Sequence, residues 1–154
     1  MKLWIHCQSS LALKKVKMSD GVIRKYYFVA ERQEKEMKIE MEDSEKEKIV
    51  RDVMENFPEY SSPSLVCTDW NYQAMQFVFR EDTEDPLKGD VIHQVNLEML
   101  KKGLDKMVLD IAAGRIHTSG NTGLQDMLTD TGNWDANDAD NLVQYAIFGE
   151  AIYG

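Results

Sequence analysis

The hydrophobic pattern changes period half-way along the chain, and this restricts the fold more than any other feature. Before residue 80 the apolar residues lie in short runs, several of them alternating with polar residues. After residue 91 they recur at helical spacing: Leu97, Leu100, Leu104, Met107, Val108 and Ile111 fall on one stripe. Strands in a run followed by helices in a run argue against a doubly wound parallel sheet. The expectation is an α+β fold with an antiparallel or mixed sheet of about five to six strands from the N-terminal half, packed against helices from the C-terminal half. At 154 residues the chain is read as a single domain, with 1–80 mainly strands plus one helix near 45–57, and 91–154 mainly helices.

Segment by segment, Leu3 to Cys7 reads as a strand. Leu11 to Met18 and Val22 to Ala30 form a hairpin around Ser19-Asp20-Gly21, where Gly supplies the positive φ of the turn. Residues 31–42 are open to two readings. Met37, Ile39 and Met41 alternate as in a strand, which is preferred, while the Glu and Lys between them favour helix. Ser44 with Glu47 then makes a capping box for the helix at 45–57. Ser64 to Thr68 and Ala74 to Arg80 read as strands joined by a turn near Asp69-Trp70-Asn71, with Phe77 and Phe79 on one face. A helix is expected over 91–113 with Gly114 as its C-terminal cap, a short one over 124–129, and a last one over 137–148.

Net charge is −9 and unevenly placed. Residues 1–30 hold six basic residues (Lys2, Lys14, Lys15, Lys17, Arg24, Lys25) against one acid, Asp20, and no Lys or Arg follows Arg115. Either the two ends simply solvate the surface or face one another, or the molecule is bipolar with one cationic face. An acidic chain makes nucleic acid an unlikely partner, because that affinity needs clustered cations. The aromatics Tyr26 and Tyr27 among those cations suit a single-strand platform only loosely, since they point to opposite strand faces.

No run approaches the length of a membrane span, so no membrane is expected. The N-terminus lacks a signal-peptide pattern, which makes the cytoplasm the default location. There Cys7 and Cys67 are most simply buried thiols.

Phosphate-loop, dinucleotide-loop, zinc-helix and nucleophile-elbow patterns are all absent. No cofactor and no metal site is expected. Asp135 to Asp140 looks calcium-like, but it places Ala139 where a ligand is needed and reads instead as a capped, acidic helix start. The best chemical candidate is the 114–123 loop. Arg115, Ser119 and Thr122 there suit a phosphate or carboxylate, with His117 as a weak candidate catalytic acid or base. The plain alternative is a helix connector. His117-Thr118-Ser119 also fits the short motif of two-histidine phosphodiesterases, but neither His6 nor His93 begins a second copy, so that family is set aside.

The final helix is apolar on more than one side. Leu142, Val143, Ala146 and Ile147 share one face, and Tyr145, Phe148 and Ile152 another. Leu142, Tyr145, Ile147, Phe148 and Ile152 are therefore candidate interface residues. The function expected is a non-enzymatic interaction or regulatory protein, working as a homo-oligomer or on a protein partner. Two alternatives stay open: a small phosphate- or nucleotide-binding protein or hydrolase using the 114–123 loop, and an acidic inhibitor imitating nucleic acid. The last requires the acids of 81–90 and 126–140 to share a face.

Overall fold

A computed structural model describes the backbone of Leu13–Lys17 and Ile23–Tyr27, and residues 41–55, 57, 62, 64–82, 89–118 and 123–153. Residues 2–38 form one compact unit and residues 39–154 another. In the first, β1 (Leu13–Lys17) pairs antiparallel with β2 (Ile23–Tyr27) in the register Lys15↔Lys25. The expected strands at 3–7 and 31–42 lie outside the described residues, apart from Met41 and Glu42.

The second unit holds α1 (Asp43–Met54), β3 (Leu65–Asn71), β4 (Gln76–Glu81), β5 (Val91–Asn96), α2 (Leu97–Ala112), α3 (Leu124–Thr129) and α4 (Ala136–Ile147). No described helix is long and apolar enough to cross a membrane. The α+β class holds. The single sheet of five to six strands does not: the described strands form a three-stranded antiparallel sheet, ordered β3-β4-β5, and the two-stranded β1-β2 hairpin.

The strand beside β4 comes from the half of the chain expected to be helical. Val91-Ile92-His93-Gln94-Val95 carries β-branched residues in alternation, and Asn96 ends the strand by capping α2, its side chain accepting from Met99 N at 3.0 Å. Register follows burial. Leu65, Cys67, Phe77, Phe79 and Val95 are buried on one face, while Arg80, Ile92 and Gln94 are exposed. Phe79 meets Phe57 at 5.9 Å between ring centroids. The turn expected at 69–71 falls later. β3 continues to Asn71 past an irregularity between Cys67 and Asp69, and the chain reverses over 72–75. There Asn71 Oδ1 accepts from Ala74 N at 3.0 Å, and Met75 takes a positive φ of 51° with its side chain buried.

α1 begins two residues before its expected start, on Glu42 rather than Ser44. Glu45 accepts from the Glu42 N–H at 3.3 Å, and Lys101, nearly buried on α2, holds the Asp43 carboxylate at 2.9 Å. That long-range bond ties the start of α1 to α2. Gly114 closes α2 with a φ of 70°: its N–H donates to Ile111 O, and that of Arg115 to Asp110 O. Leu100, Leu104, Met107 and Val108 on α2 share the core with Leu142 and Val143 on α4. At their crossing Gly103 lies so close to Ala146 that no side chain fits between them.

Candidate functional site

Gly114 directs Arg115 back along α2, where its Nε donates to Asp110 Oδ1 at 2.7 Å. The Tyr145 hydroxyl donates to the other Asp110 oxygen at 2.5 Å. Burial pushes the Asp110 carboxyl up, but the tyrosine and the guanidinium outweigh it and hold the group below its ordinary value. Arg115 is therefore committed within its own chain. His117 is exposed, and Ser119 and Thr122 lie outside the described residues. Cys67 is a free thiol, pushed up to about 11 by burial, which suits an inert core residue.

The candidate interface residues of the last helix are divided. Leu142 and Tyr145 are buried in the chain's own core, Ile147 and Phe148 are partly buried against it, and Ile152 is 48% exposed. The aspartates at the start of α4 do cap it: Asp135 Oδ1 accepts from the Asn137 and Asp138 N–H groups at 2.8 and 3.0 Å. Of the acids needed for a nucleic-acid-like face, residues 83–88 lie outside the described set.

Glu81 is tied inward. Its Oε1 accepts from the Tyr153 hydroxyl at 2.5 Å, and its Oε2 lies 2.7 Å from His93 Nε2. Phe148 packs edge-on against both the His93 and Tyr153 rings, at 5.4 and 6.1 Å. The tyrosine hydrogen bond first, and the histidine second, hold the Glu81 carboxyl below its ordinary value, while Tyr153 is pushed up to about 12 by the same bond. The group joins β4 and β5 to the C-terminal tail. A carboxyl depressed in the folded state stabilises the fold above its unfolded value, and that contribution disappears as pH falls through the folded one. Tyr153→Phe is therefore expected to cost roughly 1.5 kcal/mol near neutral pH. In urea denaturation the deficit should shrink in acid, below the depressed Glu81 value. A deficit equal at both pH values would assign the tyrosine a packing role instead.

The concave features lie elsewhere. Two cavities, about 470 and 390 Å³, open between α1 and the 127–139 segment and share Asp52 and Thr131 as lining residues. The larger is walled by Val53, Phe57, Trp134 and Ala139, and the smaller by Met41, Ile49 and Leu128. The facing wall is fixed by local bonds. Trp134 Nε1 donates to Met127 O at 2.9 Å, and Asp130 Oδ1 accepts from Gly132 N at 2.9 Å. Thr131 Oγ1 reaches Asp52 Oδ2 across the groove at 3.4 Å.

The rim is acidic. Among the described residues, Asp52, Glu55 and Asp135 line the larger cavity with no Lys or Arg, while Glu45, Asp52 and Asp130 line the smaller with Lys48. Asp130 and Asp135 each place one oxygen on backbone N–H groups, whereas none of the ion pairs of the described residues involves Asp52 or Glu55. An apolar floor beneath Asp52 and Glu55, neither of them ion-paired among the described residues, suits a ligand with an apolar body and a positive charge.

The chain matches no family model, no curated protein and no solved structure.

Residue spacing alone does not reveal this groove, because its walls come from segments some eighty residues apart in sequence. One signal did point to it: no Lys or Arg follows Arg115, and that cation-free stretch supplies the wall from Leu128 to Ala139.

Proposed function

We propose that the protein is a non-enzymatic interaction module that binds a segment of a protein partner in the groove between α1 and the 127–139 segment. The groove itself carries this reading: two adjoining cavities with an apolar floor and a rim held by local hydrogen bonds. A wall ordered in advance loses little conformational entropy when a chain docks on it. The 114–118 stretch supports a chemical role less well, since the Arg115 guanidinium is engaged by Asp110. Leu142 and Tyr145 of the last helix serve the chain's own core, so the reading puts the contact surface in the groove.

Selection of a random peptide library on the intact chain tests the proposal. Ala136, exposed at the start of α4, lines the larger cavity. Selected peptides should lose roughly tenfold or more in affinity for Ala136→Trp, as expected when a central contact is blocked. They should bind Gln94→Trp, an exposed sheet position, as they bind the parent. Failure to enrich any peptide, or equal loss in both variants, overturns the reading.

A further inference from the structure

We infer that the occupant of the groove is a cationic peptide segment, an arginine- or lysine-bearing stretch of another protein whose apolar side chains fill the floor. This rests on the groove being a docking site and adds the chemistry of what docks. Charge complementarity carries the inference. Among the described residues, Asp52, Glu55, Asp130 and Asp135 line the two cavities, with Lys48 beside the smaller one. Among the described residues no cation pairs with Asp52 or Glu55 beside the larger cavity, so an anionic ligand there meets repulsion.

The larger cavity combines Asp52 and Glu55 with the Trp134 and Phe57 side chains. Arginine and lysine match such a lining: their aliphatic stems pack on apolar walls while the charged head reaches the carboxylates. Arginine also stacks on aromatic surfaces and bonds carboxylates through two N–H groups at once, so it is the favoured anchor. The smaller cavity, with Met41, Ile49 and Leu128 beside Asp52 and Asp130, takes a neighbouring apolar residue and a second cation in the same way.

The probes are three labelled peptides of about twelve residues, long enough to cover both cavities. They alternate leucine with arginine, with glutamine, or with glutamate. In fluorescence polarisation on the intact chain, the arginine peptide should bind, the glutamate peptide should not, and the glutamine peptide should bind at least about tenfold more weakly. Raising salt from about 50 to about 500 mM should weaken the arginine peptide markedly, because exposed charge pairs are screened. Asp52→Lys and Glu55→Lys should each weaken it roughly tenfold, the scale of one attraction turned into a repulsion. Asp90→Lys makes the same change of net charge at an exposed site away from the cavities and should leave binding near the parent value.

Each other result has one meaning. Equal, salt-insensitive binding of the arginine and glutamine peptides overturns the cationic occupant and leaves the docking groove standing. Binding by no peptide counts against both. Equal loss in Asp90→Lys and Asp52→Lys reduces the attraction to overall charge and overturns the inference. Residues 1–30 carry six cations, so a second copy is the competing occupant. A dimer by light scattering that Asp52→Lys dissociates would assign the groove to that copy instead.

Discussion

Gly103→Ala is expected to destabilise the protein by about 2 kcal/mol, although alanine favours helix over glycine by about 1 kcal/mol. A Cβ at position 103 would stand 2.7 Å from Ala146 N, 3.0 Å from Ala146 Cα and 3.1 Å from Leu142 O. All three are backbone atoms of α4, so no side-chain rotation relieves the contact. Helices α2 and α4 must move apart, which loosens Leu104, Met107 and Leu142 in the core. Melting should fall by roughly 4–8 °C for a chain of this size, and Gly103→Leu should fall further. Lys102→Ala, at the exposed neighbouring position, is the control and should change little. An unchanged or raised melting temperature for Gly103→Ala would mean that α2 and α4 do not meet backbone to backbone.

The second large effect belongs to Gln144. Its side chain is fully buried, and all its hydrogen bonds serve the tail or a neighbouring acid. The amide Nε2 donates to Asp140 Oδ2 at 2.7 Å and to Tyr153 O at 2.9 Å. The Oε1 accepts from the Ile152 and Tyr153 N–H groups, each at 2.7 Å. Gln144→Leu keeps most of the volume and removes all four bonds. Asp140, whose Oδ1 is already buried without a hydrogen-bond partner, then loses the partner of its other oxygen. Unsatisfied buried groups cost about 1–3 kcal/mol each, but release of the tail to water limits the sum. A loss of about 3 kcal/mol is expected by urea denaturation. The Ile152 and Tyr153 amides, bonded to Gln144 Oε1, should exchange slowly in the parent and fast in Gln144→Leu. Slow exchange retained in Gln144→Leu would show that Tyr153 and Glu81 hold the tail unaided.

The helical part of this arrangement was legible in the residues because helix ends carry chemical markers. Asp135 caps α4, Gly114 closes α2, and Leu124–Thr129 stands where a short helix is expected. Strand β5 was not legible. Val91, Ile92 and Val95 run directly into the α2 stripe, and only Asn96, as an N-cap, separates the two periods. The start of α1 was misplaced for a related reason: Ser44 with Glu47 has the spacing of a capping box, but so have Glu42 and Glu45, and Lys101 of a distant helix anchors Asp43. Long-range contacts of that kind leave no mark in local spacing. Gln144 reads as an ordinary polar helix residue until the tail folds over it. The apolarity of α4 was visible, whereas its destination was not, because a glycine on α2 lets that helix come close enough to absorb Leu142 and Val143.

Amide chemical-shift mapping with the alternating arginine-leucine peptide locates the docking site on the molecule itself. Peptide docking in the groove should give saturable shifts concentrated at Asp52, Glu55, Thr131, Gly132 and Asp135, all of which line the larger cavity. Shifts spread over the acidic surface, or centred on Arg115 and His117, would contradict it.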